Sequence, residues 1–190
     1  KVFSAGYESI CQLKGDFDIQ VDYELLVWPQ PSNGVRVGLV LRYNEPLAVE
    51  RVSLEGGQGE TYTTHFKSSI VHVSTSDMKG KLRVTRKAGV ITGYYYKSDA
   101  WESIYGTACT YADVFFILTA WSHDYAFADK KVKVAFDNVY INQGELIRPL
   151  AATFKSKTGL LHIPTVTVDE QNSYTVGMRK KGGKTFITLE

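Results

Sequence analysis

The side chains of this chain best suited to chemistry are a scatter of cationic, acidic and aromatic residues on segments that otherwise alternate apolar and polar. In VRVGLVLRY, Arg36 and Arg42 point away from Val35, Val37, Leu39 and Leu41, because successive side chains of a strand face opposite ways. Glu50, His65, Arg83 and Tyr95 can take similar outward positions on neighbouring strands, and Trp121 with His123 extends the set from AWSHD. Sugars are recognised by aromatic rings laid against their apolar faces and by charged or amide groups that bond pairs of hydroxyls; this set holds both kinds. The competing reading is structural, with Trp121 and Tyr95 as core packing and Arg42 with Glu50 as a cross-strand ion pair. Tyr94-Tyr95-Tyr96 and Trp101 flank a hairpin at Lys97-Ser98-Asp99, where exposed rings would mark a ligand or partner contact. Tyrosine is also simply favoured in strands.

Reactive motifs are missing. The four histidines, His65, His72, His123 and His162, have no metal-ligand spacing, and no serine sits in a Gly-x-Ser-x-Gly elbow. Gly177 to Thr185 nearly spells a phosphate loop, but the count between glycines fails and the context is strand-turn-strand. Cys11 and Cys109 are too few for a disulfide scaffold and wrongly spaced for zinc, which leaves one bridge between strands or two buried thiols.

The elements that must position these residues read as strands almost throughout. A short strand at Ser9 to Leu13 is followed by a turn at Gly15 and by FDIQVDYELLVW, with Phe17, Ile19, Val21 and Tyr23 on one face and Asp16, Asp18, Gln20, Asp22 and Glu24 on the other. Val35 to Tyr43, Ala48 to Leu54 and Glu60 to Phe66 come next, separated by Asn-Glu-Pro and Gly-Gly-Gln-Gly turns, and then SIVHVST. From Gly80 to Asp124 the sequence predicts four consecutive antiparallel strands, and Lys131 to Asn142 predicts one more. Nothing carries the periodicity of a long amphipathic helix, so the expectation is an all-β, two-sheet antiparallel sandwich. Composition shifts around Gly144 to Leu150, which divides the chain into a sandwich over 1–146 and a small β-hairpin appendage over 147–190. About 40 residues make a marginal core, so this appendage is expected to pack on the sandwich or on a neighbouring chain.

At 190 residues, 44% hydrophobic and 22% charged, the composition is that of a globular protein, and no apolar run approaches the roughly 20 residues of a membrane-spanning helix. A net charge of +2 leaves no electrostatic footprint for nucleic acid; the one basic cluster, Arg179-Lys180-Lys181 with Lys184, surrounds a Gly-Gly turn and reads as a hairpin tip. The chain opens on Lys1 with no charged-then-apolar leader, which fits a removed signal peptide or a piece of something larger.

The blocks GDFDIQVDYEL, GVRVGLVLR, AVERVS, THF, GKLRVTRKAGVITGYYYK, AWESI, FFILTAWSHD and VKVAFDNVYIN, in this order, resemble the concanavalin A-like lectin/glucanase superfamily in its laminin-G-like bacterial branch. That resemblance spans roughly Val2 to Asn142 and implies two curved sheets in jelly-roll order, in proteins that bind sugars, bind proteins, cleave glucans or space other domains. Gly159-Leu160-Leu161-His162-Ile163-Pro164-Thr165-Val166 resembles a short β module near the ends of secreted bacterial proteins. Glucanases of the superfamily carry Glu-x-Asp-x-Glu on one strand face, since retaining chemistry needs two carboxyl groups about 5 Å apart. The nearest run here, Gln20-Val21-Asp22-Tyr23-Glu24, puts an amide at the nucleophile's place and lies near the N-terminus, so it reads as an ordinary polar face. The resemblance also places a structural calcium at Asp137, with oxygens from Glu8 or Asp16; otherwise Asp137 caps a turn or pairs with a lysine such as Lys133, and no cofactor is expected. Together these readings predict a non-catalytic extracellular or cell-surface module that binds polysaccharide or glycan and is not an enzyme. The alternative is a subunit of a bacterial surface layer or filament that joins neighbouring chains, and a glucanase comes third.

Overall fold

The computed structural model describes residues 3–28, 34–42, 47–110, 112–122 and 131–147, and the backbone of four short strands beyond them. The chain divides into two compact units, Lys1–Ile147 and Arg148–Glu190.

The first unit is built of ten antiparallel strands: β1 (Phe3–Val27), β2 (Val35–Arg42), β3 (Leu47–Ser53), β4 (Glu60–Phe66), β5 (Ser69–Ser74), β6 (Lys79–Lys87), β7 (Val90–Lys97), β8 (Ala100–Ala108), β9 (Val114–Ser122) and β10 (Lys133–Ile147). The pairing runs β5-β4-β3-β2-β9-β1-β6-β7-β8, with β10 on the other side of β1. β1 therefore belongs to both layers. Its first half, Phe3 to Leu13, pairs with β9, and Phe17 to Glu24 pairs with β6. The first sheet is thus β5-β4-β3-β2-β9-β1 and the second is β10-β1-β6-β7-β8.

Gly15 marks the passage between the layers. It takes a left-handed backbone, φ 62°, and the pairing of β1 with β10 shifts register between Lys14 and Asp18. A glycine with positive φ serves a bulge as readily as a turn, so the expected turn is a bend inside one continuous strand. The Gly80 to Asp124 block is corrected in a similar way. β6, β7 and β8 form a meander, but β9 leaves that sheet and inserts between β2 and β1 of the other.

Alternation then fills the space between the layers. Val37, Leu39, Leu41 and Val49 of the first sheet and Ile19, Val21, Leu82, Val84 and Ile91 of the second are buried, each removing apolar surface worth roughly 1.5–3 kcal/mol for a fully buried side chain. The all-β sandwich expected from the sequence is what forms. Arg86, on the inward face of β6, donates to the carbonyls of Gly15, Thr110 and Ala112 and lies 4.7 Å from the Phe17 ring centroid. Cys11 and Cys109 are both free thiols, and partial burial pushes the Cys109 thiol up.

In the second unit, β11 (Thr153–Lys155) pairs with β12 (Leu160–His162), and β13 (Val176–Lys181) pairs with β14 (Lys184–Leu189). Lys181 stands opposite Lys184, and the turn expected at Gly182-Gly183 lies outside the described residues.

Candidate functional site

The register of the first sheet lines up one row of side chains on its outer face, across all six strands: Gly6, Thr119, Gly38, Glu50, Thr63 and His72. Trp121 and Arg36 belong to the adjoining row on one side, and Glu8 and His65 to the adjoining row on the other. Strand spacing of about 4.8 Å puts Glu50 and His72 about 10 Å apart along the row. Gly38 is required at its place. A Cβ there would run into the Val49 carbonyl and come within 2.7 Å of the Glu50 Cα, so only glycine lets β3 and its glutamate lie this close.

Glu50 is 1% exposed and Arg36 7%, although both sit on the face opposite the apolar core. The Trp121 indole Nε1 donates to Glu50 Oε1 at 2.6 Å, and the Arg36 guanidinium stands 3.8 Å from Oε2 and 5.3 Å from the Trp121 ring centroid. Burial pushes the Glu50 carboxyl above the usual carboxylate range, against the pull of Arg36 and of the indole N–H. A carboxyl so enclosed does not touch a ligand. It fixes the indole and the guanidinium in place.

The groups that do meet solvent are the exposed His72 and the half-buried His65 and Trp121. Thr63 Oγ1 lies 2.8 Å from His72 Nδ1 and 2.8 Å from Thr61 Oγ1, so the hydroxyl pair fixes the ring and leaves Nε2 as its other nitrogen. Desolvation, and then the charge of Arg36, lower the pKa of both imidazoles, which keeps them neutral and able to accept a proton near pH 7.

Of the residues singled out from the sequence, Arg36, Arg42, Glu50, His65 and Trp121 share this face. Arg42 pairs with Glu8 and lies 4.5 Å from the Phe115 ring centroid, so the cross-strand pair with Glu50 is not formed; the register sets Glu50 opposite Gly38 and leaves Arg36 as its cation. Tyr95 faces inward, stacked on Tyr62 with centroids 4.7 Å apart, because it stands opposite Leu82 on the core side. Arg83 and Trp101 lie on the outer face of the second sheet, where the Arg83 Nε donates to Asp18 Oδ1 at 2.8 Å. His123 lies outside the described residues. Thr63, His72, Thr119, Gly6 and Gly38 were not singled out; the glycine inside the strand pattern at Gly38 is the signal that could have found the row.

Asp137 stands opposite Asp22 at a bulge of β10 and accepts the Asn138 N–H at 2.7 Å. Glu8 is bound to Arg42 and Asp16 accepts the Ala88 N–H, so neither meets it, and among the described residues no three metal-ligating side chains converge. Gln20, Asp22 and Glu24 lie along the outer face of the second sheet between β6 and β10. Glu8 stands on the adjoining row, three strands from Glu50 and so more than about 14 Å away, beyond the roughly 5–9.5 Å of paired-carboxylate hydrolysis, while Glu55 lies near enough to His72 for its charge to raise that imidazole's pKa in part.

No protein-family model matches the chain, and no curated protein matches it. Among solved structures it is similar to a functionally unknown protein from Saccharomyces cerevisiae, with TM-score 0.52 and 17% identity over 77% of this chain and 74% of that one. A GH43 protein mutant from Bacillus licheniformis gives TM-score 0.49 and 14% identity over 64% of this chain but 26% of its own. A β-glucanase from Bacillus licheniformis gives TM-score 0.46 and 10% identity over 71% and 67%. Similar sandwiches are named as glucanases, a glycosyl hydrolase and a transglycosylase, names that stand against the expectation of a non-catalytic module that is not an enzyme. At such identities the likeness shows the fold alone, an antiparallel β-sandwich, and activity has to be argued from the face itself.

Proposed function

We propose that this chain acts on a polysaccharide held against the outer face of the first sheet. In this reading Trp121 is the stacking platform, Arg36 and Glu50 hold it from beneath, and His72 and His65 transfer the proton. The observation that carries the reading is the Glu50 row with its two neighbouring rows, where a locked indole and two neutral imidazoles meet solvent around an enclosed ion pair. An aromatic ring beside polar groups suits a sugar, and a neutral imidazole suits general base catalysis. With one carboxyl on the row, and that one enclosed, the proton transfer falls to imidazole rather than to a carboxylate couple.

The test is product release from a panel of neutral and uronate polysaccharides, followed both as new reducing ends and as ultraviolet absorbance of unsaturated products. His72→Ala or His65→Ala is expected to lower kcat about 10²–10⁴-fold on the substrate that responds. The rate should also fall as pH drops through a value below 6.5, since a base with a lowered pKa loses its neutral form only there. Turnover undiminished in both variants, or no product from any polymer, overturns the proposal.

A further inference from the structure

The outer face of the second sheet carries a row of its own, and nothing in the activity proposed above uses it. Asp137, Asp22, Lys81, Tyr96 and Trp101 follow one another across five strands. A cleft of about 710 Å³ opens along this row from Tyr96 over Lys81 and Asp22 to Asn138, bordered by the Lys97-Ser98-Asp99 hairpin. Its volume lies within the 300–1,000 Å³ usual for small-molecule sites.

The chemistry of the cleft is selective. Lys81 Nζ stands 3.4 Å from Asp22 Oδ1 and 5.6 Å from the Tyr96 centroid, and the Asn138 amide donates to Asp22 Oδ2 at 3.0 Å. Beside the cleft, Arg83 is paired with Asp18 and sits 5.6 and 5.3 Å from the rings of Tyr94 and Trp101. Tyr96 and Trp101 meet edge to face, 5.1 Å between centroids. The central Asp22 and Lys81 charges are paired within the face, and the rest of the lining has more carboxylates (Glu24, Asp77, Asp99, Asp137) than ammonium groups (Lys79, Lys97), which disfavours an anionic ligand. The same pairing holds planar and ammonium groups in fixed directions, with spare lone pairs and N–H bonds for hydroxyls. Aromatic surface among pre-oriented polar groups, in a lining that repels anions, matches a neutral sugar chain rather than a uronate.

We infer that this cleft is a second glycan-binding site, for a neutral oligosaccharide segment, separate from the face that turns substrate over. It takes its ligand class from the proposed function and its location from different residues. It would hold the polymer without touching the reacting bond.

Affinity electrophoresis of the full chain through gels cast with a soluble neutral β-glucan, a neutral xylan or polygalacturonate tests it. Retardation is expected in a neutral gel, and Tyr96→Ala should weaken it roughly 2- to 10-fold while leaving the rate on short soluble substrates unchanged. Lys81→Ala, on a half-exposed side chain, should weaken it in the same sense and guards against a folding defect in the tyrosine variant. His72→Ala should leave the retardation intact. Retardation that survives both cleft variants, occurs only in polygalacturonate, or is absent from every neutral gel overturns the inference. Retardation that follows Tyr96 and Lys81 while no polymer is turned over keeps the second site and removes the proposed activity, so the two failures are distinguishable.

Discussion

The outer faces of the two sheets follow the same alternation and end in opposite electrostatic states. On the first, the Arg36–Glu50 pair is enclosed, with side-chain exposures of 9% and 1%; on the second, the Lys81–Asp22 pair is open, at 39% and 23%. Water screens the second pair and barely reaches the first, so similar residues at similar sheet positions differ several-fold in what their loss should cost. The enclosed pair bears on folding stability, whereas the open one orients its groups and adds little to stability.

The largest effect expected from this contrast is on folding stability. Arg36→Met strands the Glu50 carboxyl in a buried site and should cost about 3–5 kcal/mol, whereas Lys81→Met on the open pair should cost about 0.2–1 kcal/mol. Urea denaturation of both variants measures the ratio, and equal losses would break the comparison. Trp121→Phe is the next step down. It keeps an aromatic ring but removes the 2.6 Å bond to Glu50, a bond to a carboxyl that is worth about 1.5–3 kcal/mol.

Much of this contrast was legible in the sequence, though not its partners. Period two gave the face on which Arg36, Arg42, Glu50 and Trp121 lie, because alternation is a property of a single strand. It could not give the sheet, since that depends on where β9 crosses over. Arg83 was therefore grouped with residues of the other layer. Three tyrosines in a row hide the phase of their strand, and Tyr95 was placed outward when its neighbours are. Glu50's cation was misassigned because register is fixed by pairing partners far away in the chain, as with Gly38 opposite Glu50. The Gly15 bend looked like a turn, and the Gly38 close approach lay unmarked inside a strand, because glycine serves a turn, a bend and a close contact alike.

The pH dependence of stability sharpens the contrast further. Glu50 has a folded-state pKa raised from 4.5, so its contribution is fully present below that value and is lost as pH rises through the folded pKa. The Glu50→Gln variant carries no such titration. Its thermal midpoint relative to the native chain should therefore climb as pH is raised above 4.5. His65 and His72 work in the opposite direction: their lowered pKa values contribute stability present above 6.5 and lost as pH falls through the folded values. A midpoint difference that stays flat with pH would mean that the Glu50 carboxyl is solvated after all.

The smallest effect belongs to the open face and tests the same principle from the other end. The Asn142 amide donates to Asp18 Oδ1 at 3.2 Å and to Gln20 Oε1 at 3.0 Å, two bonds on paper where Trp121 makes one to Glu50. Both lie at the exposed Asn142 end, and when the amide is removed water takes its place at Gln20 while Asp18 keeps its bonds from Arg83. Asn142→Ala should therefore change stability by no more than about 0.5 kcal/mol, well below the loss from Trp121→Phe despite the larger number of bonds. Measuring the two variants side by side separates bond count from burial, and a larger loss from Asn142 would show that the second face is held as rigidly as the first.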